Sequence, residues 1–243
     1  MTNYFNDLAK RLVSLGRKRE LSNVFNDLLT LGLCAFHRTN IQTGGLSKDE
    51  DNEALYFQTI KSYDKEDLTQ LSECLGILQL NVLQAPYSDP LGDFYMEHIT
   101  KGHNGQYFTP EPICTMLAEM NGIGDCHSKR ILDPACGSGR MLLSAAALNH
   151  ENYFFGNDNN HTCAKMAALN CFLNGLIGEI AWMNSLTMEW YSGWAINQNG
   201  LGIQPIDKEN SSIWTKAPDI KKEIKQKSKQ NHDPPKPNQL TLF

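Results

Sequence analysis

The stretch Ile131-Leu132-Asp133-Pro134-Ala135-Cys136-Gly137-Ser138-Gly139-Arg140-Met141 leaves this chain few folds to choose from. A short apolar run ends in an acid and a proline. A glycine-spaced turn follows, and Met141 to Leu148 is a run of small and apolar residues suited to a helix. The pattern predicts a strand, a tight loop and a helix N-terminus. Glycines in such a loop let backbone N–H groups approach a ligand, and the helix start adds partial positive charge. A dinucleotide fingerprint needs a third glycine three residues past Gly139, where this chain has Leu142. A carboxylate at the strand tip, Asp133, suits a ligand with a positive amino group and no pyrophosphate. S-adenosylmethionine is such a ligand.

The segments around the loop read as an α/β fold behind a helical region. Phe5, Leu8, Leu12 and Leu15, then Val24, Leu28 and Leu31, recur at helical spacing, giving two helices broken near Gly16. Asn40 to Asp51 reads as a loop. Asp67 to Leu83 is a further helix, stopped by Pro86 and Pro90. His37 and His98 read as capping or packing histidines. Pro110 to Met120 is a helix with Pro110 and Pro112 in its first turn. Lys129 to Leu132 is a first strand. Tyr153 to Phe155 is a second, ending in Gly156-Asn157-Asp158, and Ile180 to Met183 is a third, ending in Asn184. Between the last two, His161 to Asn174 is a helix with an apolar face of Ala164, Ala168, Cys171 and Phe172. Strands alternating with helices predict a parallel sheet. Glu189 to Asn210 is rich in Gly, Asn and Trp and reads as irregular, with Ser211 to Thr215 as one more short strand.

The expected organisation is a helical region over residues 1–100, a Rossmann-like sheet domain over 101–215 and a flexible lysine-rich tail over 216–243. The chain has 243 residues, 41% of them hydrophobic, and a formal charge of -5, so its global charge gives no support to nucleic-acid binding. Seven cysteines, scattered and without a C-x-x-C pair, argue against a zinc site or disulfide framework and for a cytoplasmic, reduced chain. No metal is expected. The polar N-terminus lacks a signal-peptide core, and no apolar run is long enough to span a membrane.

Two further segments give the loop a context. Gly105-Gln106-Tyr107-Phe108-Thr109-Pro110 lies upstream, and Asp158 and Asn184 end the next two strands. This ordered series resembles the adenine-N6 DNA methyltransferases whose cofactor-binding half precedes the target-binding half. It is most similar to the methylation subunit of type I restriction-modification systems, over Asp89 to Leu186. The resemblance implies an S-adenosylmethionine-dependent DNA methyltransferase with the fold of that family. Gln106, Tyr107, Phe108, Thr109, Pro110 and Glu111 would lie over the cofactor. Asp133 would pair with its ammonium, and the N–H groups around Gly137, Ser138 and Gly139 would hold its carboxylate. Asp158 would take the ribose hydroxyls, and Asn184 would stand near the adenine amino group. Read from the residues alone, Asp158 is equally an N-cap for the following helix, and Tyr107-Phe108 a packing pair.

The family's catalytic signature, Asp or Asn followed by Pro-Pro and an aromatic, is not recognisable, so no catalytic residue is assigned. Thr215-Lys216-Ala217-Pro218 keeps one proline of it. Asp233-Pro234-Pro235-Lys236 keeps the first three letters but has no preceding strand. The sheet is expected to be incomplete. The alternative is a catalytically inactive relative that binds cofactor or DNA and is tethered to the replication clamp. Gln239-Leu240-Thr241-Leu242-Phe243 resembles the peptide by which bacterial DNA-processing proteins hold the replication sliding clamp, with Gln239 hydrogen bonding and Leu240, Leu242 and Phe243 as the apolar anchor. The implied partners are DNA, the clamp, and a specificity or second methylation subunit.

Overall fold

The computed structural model describes residues 4–37, 49–100, 108–198, 200 and 202–214. Gln106, Tyr107, Thr215 to Pro218, Asp233 to Lys236 and the peptide Gln239 to Phe243 lie outside them. Among the described residues no helix is long and apolar enough to cross a membrane.

The first helices are α1 (Tyr4–Leu15), α2 (Leu21–Ala35), α3 (Glu50–Ile60) and α4 (Lys65–Gln84). Leu8, Leu12 and Leu15 of α1 face inward, as their spacing requires. The predicted loop ends at Asp49, whose side chain caps α3, so Glu50 and Asp51 are helical. Helix α3 has no apolar stripe to announce it, and none of its residues is buried. Pro90 does not stop a helix. It opens α5 (Pro90–Phe94), where a missing N–H costs nothing, and Asp89 is the cap. Similarly, Pro110 is the cap of α6 (Glu111–Met120), not a member of its first turn.

The sheet is β1 (Arg130–Asp133), β2 (Tyr153–Asp158), β3 (Ile177–Asn184), β4 (Glu189–Ile196) and β5 (Ile203–Pro205), in spatial order β1-β2-β3-β4-β5. β1, β2 and β3 run parallel, joined by α7 (Arg140–Leu148) and α8 (His161–Leu173). The expected all-parallel sheet is corrected beyond β3. Only Ser185 to Met188 connect β3 to β4, too few for a crossover, so β4 and then β5 pair antiparallel. Ser211 to Trp214 form no strand. They fold against the sheet, with Ser211 Oγ and Ser212 N donating to the buried Glu179 carboxylate at 3.0 and 2.7 Å.

The two faces of the sheet differ. Ile131, Phe154, Ile180 and Ile196 point into one hydrophobic core shared with α1, α2, α4, α7 and α8. Helix α8 sits in the middle of that core. It is buried on all sides from Cys163 to Cys171, Lys165 and Asn170 included, so it has no single apolar face. The opposite sheet face carries Leu132, Phe155 and Glu179 in register. There the Arg130 guanidinium lies 4.4 Å over the Phe155 ring and donates to Ser212 O at 2.9 Å. Leu132, Tyr153 and Ile177 on that face stay exposed, and β1 is an edge strand. Parallel sheets are ordinarily covered on both faces. Among the described residues α7 and α8 cover one face of this sheet, and on the other Ser211 to Trp214 cover only the part around Phe155 and Glu179.

Candidate functional site

The tips of β1, β2 and β3 meet around Pro134. Its carbonyl accepts from Asn157 Nδ2 at 3.0 Å and from Ser185 Oγ at 2.9 Å. Asp133, Asp158 and Asn184 are thereby gathered at one end of the sheet, where parallel α/β folds bind ligands. The loop between β1 and α7 turns twice through left-handed geometry, with φ 55° at Gly137 and 87° at Gly139. A Cβ on Gly137 would meet the Phe108 ring at 2.9 Å, and one on Gly139 would press on Ala167 of α8 at 3.3 Å. Both positions therefore need glycine for conformation and for close approach.

Asp133 is the unbalanced charge of this site. Burial raises its carboxyl pKa, and the negative charge of Asp158 adds to the rise. The Ala135 N–H, donating at 3.0 Å, opposes it. Among the described residues no cation pairs with it. A half-buried carboxylate in that state favours a cationic ligand. Asp158 accepts from Gly137 N at 2.9 Å and Asn160 N at 2.8 Å, holding the loop to β2. The cap of α8 is Asn160, which accepts from Cys163 N at 3.1 Å. Asp158 is thus left out of the helix and turned toward the loop.

The predicted site residues spread as follows. Phe108, Thr109, Asp133, Gly137 and Ser138 line a common cavity of about 220 Å³, with Leu117, Arg140 and Met141. Phe108 packs as well as lining: its ring stacks on Tyr95 with centroids 5.8 Å apart. Pro110 and Glu111 start α6 and are exposed. The N–H of Gly139 donates to Cys136 O at 2.8 Å and that of Gly137 to Asp158, so both already have partners. Asn184 Oδ1 caps the turn after β3, accepting from Leu186 N and Thr187 N at 3.0 and 3.2 Å.

Sequence reasoning missed Asp89 as a site residue. It is buried, and Ser138 Oγ, Arg140 Nε, Asn170 Nδ2 and Gly92 N all donate to its carboxylate. Arg140 also reaches Asp93 at 2.6 Å. Asp89 thus ties the loop and the start of α7 to α5 and α8. Burial raises the Asp89 pKa, although Arg140 and the other donors oppose it. Its one visible signal was its place before Pro90, which marks a helix cap and nothing more.

The donor set fits S-adenosylmethionine on the geometry alone. It offers a half-buried acid with no cation among the described residues, a second acid one strand over for hydroxyls, and a glycine turn that a Cβ would fill. The family model described as N-6 DNA Methylase matches residues 87–229. The chain is 25% identical over 141 residues to the type I restriction enzyme MjaVII methylase subunit of Methanocaldococcus jannaschii, covering 54% of this chain and 22% of that one. It is 24% identical over 215 residues to the type I restriction enzyme MpnII methylase subunit of Mycoplasma pneumoniae, covering 80% of this chain and 39% of that one. A class I S-adenosylmethionine-dependent methyltransferase of Listeria monocytogenes is a structural neighbour with TM-score 0.37 and 18% identity, over 72% of this chain and 50% of that one. This chain therefore spans well under half the length of the curated relatives named here.

Proposed function

We propose that this chain, which belongs to the N-6 DNA methylase family, binds S-adenosylmethionine at the tips of β1 and β2 and serves transfer of its methyl group to adenine N6 in DNA. The observation that carries the reading is Asp133, a half-buried carboxylate without a cation among the described residues, set beside Asp158 over a glycine turn. Asp133 would hold the cofactor's ammonium, and Asp158 would accept from the ribose hydroxyls with the lone pairs that Gly137 and Asn160 leave free. The cofactor supplies an activated methyl group on its sulfonium. Phe108 and Thr109 line the cavity from the α6 side and would lie against the bound ligand. Asn184, one strand further, would orient the base, its amide nitrogen turned to the ligand while Oδ1 caps the turn.

Calorimetric titration with S-adenosylmethionine, followed by a labelled-methyl assay on DNA, tests this. Binding should be lost in Asp133→Ala, with label appearing on adenine for the intact protein. Absence of cofactor binding to the intact chain would sink the proposal.

Adenine N6 is a poor nucleophile, and an acceptor group beside it is needed to free its lone pair. Among the described residues no strand pairs with the free edge of β1 to carry one. That edge and the uncovered face around Leu132 support a partner, a specificity or second methylation subunit, as the source of the target-binding half. Methyl transfer that appears only on adding such a subunit would bear this out. The peptide Gln239 to Phe243 supports a second contact, with the replication sliding clamp. Deleting those five residues should abolish co-purification with purified clamp.

A further inference from the structure

A cavity of about 830 Å³ lies away from the glycine loop, between α2 and α3 on one side and α8 with β3, β4 and β5 on the other. Among the described residues it shares no lining residue with the cofactor cavity. Its volume falls within the ~300–1,000 Å³ typical of small-molecule sites. The roof stays apart because α3 buries none of its residues, leaving Leu55 half exposed over the gap. The floor is aromatic. His161 stacks on Trp182 with centroids 4.1 Å apart, and its ring lies within 6° of parallel to Trp194 at 6.2 Å.

Two polar groups on these walls lack a full set of partners. Lys165 is buried, and its ammonium donates to two neutral oxygens, Asn26 Oδ1 at 3.1 Å and Thr30 Oγ1 at 2.9 Å. Among the described residues no carboxylate lies within ion-pair distance of it, so one of its three N–H groups is left over. Ser192 Oγ is buried with no hydrogen bond among the described residues. A buried donor without an acceptor is costly, which favours a ligand that brings one. Burial lowers the Lys165 pKa, and burial with the nearby Lys165 charge pushes His161 down to about 4, so His161 is a neutral stacking ring at pH 7. Asp27, Asp49 and Asp51 line the cavity and disfavour a phosphate; Asp49 already accepts from Asn52 N at 3.0 Å and pairs with His37 at 2.8 Å, so Asp51 on the exposed side is the acceptor offered to hydroxyls.

We propose that this cavity is a second ligand site, taking a planar heteroaromatic base with a ring carbonyl as its unphosphorylated nucleoside. The base stacks on the Trp194 and His161 side, its carbonyl accepts from Lys165 Nζ and Ser192 Oγ, and the sugar faces Asp51. Adenine has no carbonyl and is disfavoured here, in contrast to the cofactor pocket.

Calorimetry on the full chain with guanosine, adenosine, 2-aminopurine riboside and guanosine monophosphate tests this. Guanosine should bind about ten-fold or more tightly than 2-aminopurine riboside, which matches its size but lacks the carbonyl, as expected for a hydrogen bond to a charged donor. The monophosphate should bind more weakly than guanosine. Lys165→Met should erase the preference for the carbonyl, Trp194→Ala should weaken all three nucleosides, and Asp133→Ala should leave guanosine binding unchanged. The comparison of ligands on the unaltered protein stands even if a variant fails to fold. Failure of guanosine to bind at millimolar concentration would overturn the proposal. So would equal affinity for 2-aminopurine riboside, or loss of guanosine binding in Asp133→Ala.

Discussion

Asp89, a buried acid, and Asp133, a half-buried one, have opposite fates. Asp89 has every oxygen engaged, and Arg140 neutralises it. Removing its side chain in Asp89→Ala strands Ser138, Asn170, the Gly92 N–H and part of Arg140 together. Breaking a buried ion pair from one side costs about 3–5 kcal/mol. At about 2–4 °C per kcal/mol for a chain of this size, a thermal melt should show a clear drop. Asp89→Asn keeps the shape and should lose less. Asp133 has no such cation, and its raised pKa makes cofactor binding pH-dependent. The ligand's ammonium needs the ionised carboxylate. Affinity for S-adenosylmethionine should therefore fall on acidification, starting above the ordinary aspartate range near ~4. Calorimetry across pH should show that fall for the native protein and not for Asp133→Asn. Without ligand the sign reverses: an acid whose pKa is raised in the fold loses stability as pH climbs from its unfolded value through its folded one.

At the scale of elements, what was legible in the sequence was what local chemistry decides. The turn at Gly137 and Gly139 needs left-handed φ, and three apolar runs with acid or amide tips give β1, β2 and β3. What was not legible depends on partners far along the chain. β4 hides because Trp190, Tyr191, Gly193 and Trp194 break the alternation of a half-buried strand, and its pairing with β3 is what makes it one. α3 has no buried side to show. α8 misled in the other direction: the expected apolar face was Ala164, Ala168, Cys171 and Phe172, yet Lys165 and Asn170 are buried as well and bond to α2 and to Asp89. His161, the first residue of α8, carries a prediction. Its pKa is depressed to about 4 by burial, against an unfolded value near ~6.5. A base with a lowered folded pKa stabilises at high pH, and that share is lost as pH falls from about 6.5 to 4. Protonation would also place a cation at a helix N-terminus, the unfavourable end. Chemical denaturation at pH 7 and pH 4.5 should show a smaller acid loss in His161→Phe than in the native protein.

At the scale of the whole molecule, the family likeness and the folding unit have different borders. The match begins at residue 87, yet α1, α2 and α4 supply Leu8, Leu12, Phe25, Leu28, Leu29 and Leu71 to the same core that holds α8 and the sheet. Burying one such side chain is worth about 1.5–3 kcal/mol, and net stability of a domain is only about 5–15 kcal/mol. Removing residues 1–86 would uncover Leu169 and Lys165 on α8, which pack on α2. The sheet's other face is already partly open, with Leu132 53% exposed. A fragment of residues 87–214 would thus be a sheet backed by a single layer of helix with both outer sides apolar. It should fail to melt cooperatively and should bind a hydrophobic dye, while the full chain melts in one transition. A sharp melt for the fragment near that of the full chain would mean that the helical region is a separate unit. The loop clamped by Asp89 would then draw its rigidity from α5 and α8 alone. The contrary result makes the N-terminal helices part of the cofactor site's scaffold, through α8, although none of them reaches the glycine turn.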